Sequence, residues 1–119
     1  MTAPRSTEAE CDFLIATLYG PSAIVRLGRK DRRTPNTSGV PDRLYFIRGR
    51  FILFEVKSAN DYLSAEQIVF LNNVLTRSGY AGCGNRDDLA ELLNSSHPRK
   101  TGEAQIAKYA TRKKALRTP

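Results

Sequence analysis

Two apolar, aromatic and β-branched runs meet almost without a break between Asp42 and Lys57, and a chain written this way is committed to a β-hairpin. The first run passes through Leu44, Tyr45, Phe46 and Ile47, the second through Phe51, Ile52, Leu53, Phe54 and Val56. Gly49-Arg50 stands between them, with glycine first as a type II′ turn prefers. A two-residue turn there pairs Arg48 with Phe51, Phe46 with Leu53, Leu44 with Glu55 and Asp42 with Lys57. Directly paired residues share a face and side chains alternate along each strand, so Asp42, Glu55 and Lys57 project from one side. A slip of one residue would send Asp42 to the other side. Leu44, Phe46, Phe51 and Leu53 share the face of the charged trio, and Tyr45, Ile47, Ile52, Phe54 and Val56 occupy the other. A hairpin apolar on both faces is expected inside a covered sheet.

Ionised Glu55 and Lys57 at the end of such a strand are costly to bury unless paired or bound to a metal. Two carboxylates brought together repel, so each needs a cation or a shifted pKa. Carboxylate oxygens with a main-chain carbonyl suit Mg²⁺ or Mn²⁺. Such an ion lowers the pKa of a bound water and stabilises charge developing on a phosphoryl oxygen. Lys57 stands where it can orient the attacking water or contact the scissile phosphate. The plainer alternative is a surface ion pair between Lys57 and Asp42 or Glu55, of little energetic consequence.

Pro41-Asp42 followed by Glu55-Val56-Lys57 resembles the PD-(D/E)xK nuclease signature. The longer run from Gly39-Val40-Pro41-Asp42 through Glu55-Val56-Lys57 to Leu63-Ser64-Ala65-Glu66-Gln67 is similar to the VRR-NUC branch. This resemblance spans about Glu8 to Leu93 and implies a restriction-endonuclease-like α/β fold, a mixed sheet flanked by helices. It implies that Asp42 and Glu55 hold the metal with the Val56 carbonyl, and that Lys57 is catalytic with Gln67 near it. A first-helix glutamate often completes related sites. Glu8 shares a face with Cys11 and Ile15, Glu10 with Leu14 and Thr17, and the spacing favours Glu8. Gln67 also has a local explanation, because Ser64-Ala65-Glu66-Gln67 fits a capping box. The implied activity is Mg²⁺- or Mn²⁺-dependent hydrolysis of DNA phosphodiester bonds. Stand-alone members of this branch resemble Holliday-junction resolvases, which implies a homodimer acting on branched or junction DNA. The alternatives are a nicking or flap nuclease of looser specificity and a catalytically silent DNA-binding module on the same fold.

At 119 residues the chain supports one core. A net charge of +7 favours a polyanionic partner such as nucleic acid over a small-molecule substrate. The basic stretch Arg29-Lys30-Asp31-Arg32-Arg33, in a long loop just before the hairpin, is the expected DNA contact through Arg29, Lys30, Arg32 and Arg33. No apolar run approaches membrane-spanning length and no signal core opens the chain, so a cytoplasmic setting is expected, and the resemblance to compact stand-alone nucleases implies a bacterial cell or phage-infected host. Cys11 and Cys83 each lie in an apolar segment and read as small buried residues.

Apolar spacing predicts a helix from Ser6 or Thr7 to Tyr19 with Cys11, Leu14, Ile15 and Leu18 as its stripe, then a strand over Ala23–Leu27. After the hairpin come a helix from Ser64 to Gly79, a strand over Tyr80–Gly84 and a short helix over Asp87–Asn94. The order is α-β-β-β-α-β-α. Residues 1–96 read as the nuclease-like domain and 97–119 as a basic C-terminal tail, in which Ala104 to Leu116 could form a helix with a thin apolar face, and which is either solvated or an arm that contacts phosphates. Tyr62 and Tyr80 suit base stacking and core packing equally.

Overall fold

Ser6 opens the first helix, α1 (Thr7–Tyr19), with its hydroxyl accepting from the Ala9 N–H. Gly20 ends it, and a single 3₁₀ turn (Pro21–Ala23) leads into β1 (Ile24–Arg26). The hairpin follows as β2 (Arg43–Ile47) and β3 (Arg50–Val56), then α2 (Ala65–Ser78), β4 (Ala81–Gly84), α3 (Arg86–Asn94) and α4 (Pro98–Arg117). The computed structural model describes residues 6–27 and 39–117, with side chains described through residue 110. Among these residues no helix is long and apolar enough to cross a membrane. The order matches the expected one with a further helix at its end.

The four strands lie side by side in chain order. β1, β2 and β3 are antiparallel, and β3 and β4 are parallel, joined through α2. One face of the sheet carries Tyr45, Ile47, Ile52, Phe54 and Val56 onto Cys11 and Ile15 of α1 and Leu89 and Leu92 of α3. On the opposite face Ala81 and Cys83 pack with Leu63, Leu71, Leu75, Ile106 and Tyr109. Among the described residues that second core covers only the β4 side. Phe46 and Phe51 remain 48% and 44% exposed, so the described residues do not cover the hairpin on both faces as its composition suggests.

The hairpin turn is Arg48-Gly49 and not Gly49-Arg50. Both residues have positive φ, 52° and 79°, as a type I′ turn demands. Phe46 therefore pairs with Phe51 and Leu44 with Leu53, two residues away from the expected register. Cross-strand pairing explains the preference. The observed register sets phenylalanine edge-on to phenylalanine at 6.3 Å and leucine opposite leucine, where the other would oppose Leu44 to Glu55. A shift of two leaves every side chain on its expected face.

In α1 the buried positions are Cys11, Asp12 and Ile15, while Leu18 is 55% exposed. Asp12 takes the place expected for Leu18 because buried partners satisfy its charge. Arg43 donates to both its oxygens (2.8 and 3.1 Å), and Tyr45 Oη adds a third bond at 3.0 Å. Arg26 Nη2 reaches it from the surface at 3.2 Å.

Residues 97–119, read as a basic tail, contain α4, whose thin apolar stripe conceals its role. Gln105, Ile106 and Tyr109 are buried. Gln105 Oε1 accepts from Cys83 N–H (3.2 Å), and its Nε2 donates to the Asp88 carbonyl (2.7 Å). The helix thus covers the edge of β4 away from β3, with polar groups in place of the apolar ones that periodicity detects. Asp88 joins it to α3, accepting from Lys108 Nζ at 2.6 Å and Tyr109 Oη at 2.7 Å. Burial pushes the Asp88 carboxyl up, but Lys108, Tyr109 and the Asn85 N–H outweigh it and hold the group below its ordinary value.

Gly102 makes this close approach possible, since a Cβ there would strike the Ala81 carbonyl oxygen and press on Leu75 Cδ1 at 3.1 Å. Gly102→Ala is accordingly expected to lower stability by about 1–3 kcal/mol in urea unfolding, although alanine favours helix by ~1 kcal/mol. A stabilised variant would show that α4 does not dock on β4.

Candidate active site

Gly39 begins the approach to the site. Its φ is +86°, and a Cβ would lie 2.7 Å from the Glu66 carbonyl oxygen, so only glycine lets the chain pass against the first turn of α2. Pro41 is fully buried behind it. This lead-in delivers Asp42 opposite Glu55, because the observed register places position 42 across from position 55.

The two acids interlock through the backbone. Asp42 N–H donates to Glu55 Oε1 (3.2 Å), and Val56 N–H donates to Asp42 Oδ2 (3.1 Å). The Asp42 carbonyl accepts from Leu27 N–H (2.8 Å) and Arg43 Nη1 (3.2 Å). Lys57 Nζ lies 3.8 Å from Glu55 Oε2, with both side chains largely out of solvent. The Lys57 N–H donates to the Gly84 carbonyl (2.8 Å), extending the parallel pairing past the end of β3.

Gln67 closes the capping box and also touches the buried carboxylate. Its Oε1 accepts from Ser64 N–H at 2.9 Å, closing the capping box. That bond fixes the amide so that Nε2 points outward, where it donates to Glu55 Oε2 at 3.0 Å. The cap at the start of α2 is therefore what aims a donor at the carboxylate.

Glu55 is only 3% exposed. Burial, with the neighbouring Asp42 adding to it, pushes its carboxyl up to about 8 against the opposing pull of Lys57. A carboxyl that retains a proton beside a second carboxylate is a group whose proton a divalent cation can replace. Two carboxylates are a sufficient protein share for Mg²⁺, which keeps water ligands and takes others from substrate phosphates. The donor set therefore fits a hard cation on Asp42 and Glu55.

Glu8 does not complete this pair. It is half exposed, and its Oε1 lies 3.8 Å from Arg43 Nη2, on the Asp12 side of the sheet. Glu10 is exposed and borders a polar hollow with Thr7, Ser58 and Asn85. Among the described residues no three acids, histidines or cysteines form a group that could hold a metal. Arg29, Lys30, Arg32 and Arg33 lie outside the described residues.

Arg43 and Asp12 are the residues that motif reading passed over. Arg43 reaches through the strand to hold the Asp42 carbonyl while Asp12 holds Arg43. The signal was available as one charge of each sign on faces otherwise apolar, Asp12 beside Cys11 and Ile15, and Arg43 alternating with Tyr45 and Ile47. Comparison of the chain with protein-family models, with curated proteins and with solved structures finds no match.

Proposed function

We propose that this protein is a metal-dependent endonuclease that hydrolyses DNA phosphodiester bonds with preference for branched or junction DNA, acting as a homodimer on the VRR-NUC pattern. The observation that carries the reading is the buried Glu55, held between Asp42, the Gln67 amide and the Lys57 ammonium. Asp42, Glu55 and the Val56 carbonyl would hold Mg²⁺ or Mn²⁺. When bound, the ion lowers the pKa of a water and stabilises charge on phosphoryl oxygens. Lys57 orients the nucleophile and offsets charge at the scissile phosphate. Gln67 fixes the Glu55 carboxylate and lends it a donor. The basic stretch Arg29–Arg33 supplies nonspecific affinity for the backbone.

The test is incubation with labelled four-way junction, flap and linear duplex in Mg²⁺, Mn²⁺ or EDTA. Cutting that requires the ion and prefers the junction supports the reading. Tight junction binding in EDTA with no cutting in either ion would favour a silent binding module.

Titration of Glu55 gives a second test. The folded, metal-free protein keeps this proton to about pH 8, whereas an ordinary glutamate ionises near 4.5. Between these values the folded state binds more protons than the unfolded state. This contribution to stability is therefore full below about 4.5 and is lost as pH rises through about 8. An ion that binds the carboxylate must displace the proton, which weakens it about tenfold per pH unit below the folded pKa. The rise in Tm on adding Mn²⁺ is expected to be larger at roughly pH 8.5 than at roughly pH 6. Equal rises would place the ion away from Glu55.

A further inference from the structure

Arg48 stands where the backbone favours asparagine or glycine. It opens the hairpin turn at φ +52° and is the one non-glycine residue among those described with a positive φ. Arg48 and Arg50, both exposed, line a cavity of about 110 Å³ where the turn meets the ends of α1 and α3. The buried Ile47, Ile52 and Leu92 form its inner wall, and Tyr19 and Tyr80 line it as well. The Arg50 guanidinium lies over the Tyr80 ring, 4.6 Å from its centroid. Among the described residues no acid lines the cavity, and neither arginine is paired with a carboxylate. The cavity is separate from Asp42 and Glu55. It lies on the face of Ile47 and Ile52, opposite the carboxylates, and positions 47 and 50 are each five residues along their strand from 42 and 55. At a rise of about 3.3 Å per residue that is roughly 16 Å.

We propose that this cavity is a nucleotide site, in which one base enters against Tyr19 and the apolar wall and its phosphate lies on Arg48 and Arg50 at the rim. The nucleotide is free or is an unpaired one within a strand, since both present the same ring and phosphate. Size, stacking and charge each favour that occupant. A closed apolar cavity of ~150 Å³ admits benzene, so an open one of about 110 Å³ takes a single ring. It falls well short of the ~300–1,000 Å³ of sites that enclose a whole small molecule. Tyr80 holds the Arg50 guanidinium as a flat, delocalised cation, and such a group stacks on rings while its N–H groups stay free for phosphate oxygens. Two guanidiniums on one cavity without an acid suit a phosphate, whose oxygens accept from both, where a carboxylate fills only one. The left-handed Arg48 then has a reason, because the turn gives up its favoured residue for a second cation at the rim.

Proton–nitrogen NMR spectra in EDTA test this at the cavity itself. The natural chain, Arg48→Asn and Arg48→Asn/Arg50→Gln would each be titrated with thymidine 5′-monophosphate, thymidine, inorganic phosphate, N-acetylphenylalanine and a single-stranded oligothymidylate. The monophosphate is expected to shift amides of residues 47–52 and 92–95 and to leave those of Asp42 and Glu55 unmoved. It should bind about tenfold more tightly than thymidine or phosphate alone, and the double variant should lose that advantage. Arg48→Asn alone should weaken binding with Tm equal or higher, because it gives the turn a favoured Asn-Gly pair and so separates lost contact from lost fold. Oligothymidylate shifting the same amides would assign the site to an unpaired nucleotide of a strand, and the monophosphate alone to a free nucleotide. N-acetylphenylalanine binding as tightly as the monophosphate would make the cavity a site for a peptide terminus and overturn the proposal. So would no shift at the cavity with either nucleotide probe, or unchanged binding by both variants. With no metal present, the outcome is independent of whether the protein cuts DNA.

Discussion

Glu55→Gln is expected to reduce metal-dependent cleavage by roughly a thousandfold or more and at the same time to stabilise the metal-free protein at alkaline pH. The two effects have one origin. Glu55 is buried against Asp42, so above about pH 8 the folded protein holds an ionised group in an unfavourable place. Glutamine keeps the shape and one acceptor oxygen, so either the Asp42 N–H or Gln67 Nε2 keeps its bond but not both, and the charge that would hold the ion is removed. Were the carboxylate instead an ion-pair partner of Lys57 for stability alone, the same substitution would lower Tm, because it strands a nearly buried ammonium. Urea or thermal unfolding at roughly pH 8.5 without metal separates the two, a rise supporting a site and a fall supporting a structural pair. Lys57→Ala should match the loss of cleavage while leaving DNA binding nearly intact. Loss of binding in step with activity would remove its catalytic assignment.

Where the sequence was informative, one short-range rule decided the outcome. Ser64 with Gln67, Gly79 and the alternation of the hairpin each act within a few residues, and the structure has the capping box, the helix end at Gly79 and the faces where those rules put them. Register was harder to read because Arg48-Gly49 and Gly49-Arg50 are both acceptable turns. Cross-strand pairing of Phe46 with Phe51 separates them, and a two-residue difference left the site face unchanged. The docking of α4 was hidden because Gln105, Lys108 and Gly102 attach it through hydrogen bonds, an ion pair and close backbone approach, none of which adds to an apolar stripe. Glu8 showed the limit of face reasoning. Its i, i+3, i+7 spacing does point it toward the sheet, but to Arg43 and not to the carboxylate pair. Sequence periodicity gives a direction and not the partner found there.

Asp12→Ala is expected to cost about 3–5 kcal/mol, a fall in Tm on the order of 10–20 °C, and to impair cleavage as well. Removing the carboxylate leaves Arg43, 7% exposed, with its charge buried and Tyr45 Oη without its acceptor. Burial opposes the charge of Arg43, and the hydrogen bond and field of Asp12 more than offset it. The salt bridge from Arg26 matters less, since that side chain is 64% exposed and water can replace its partner. Replacing the whole buried set, Asp12→Leu with Arg43→Met and Tyr45→Phe, should recover most of the lost stability, because no polar group is then left unpaired. Cleavage should not recover with it. The Asp42 carbonyl would still lack its bond from Arg43 Nη1 and be held by Leu27 N–H alone of the two donors that now fix it. Recovery of both together would mean that Arg43 and Asp12 only stabilise the sheet. Recovery of stability without activity would mean that they also set the position of Asp42.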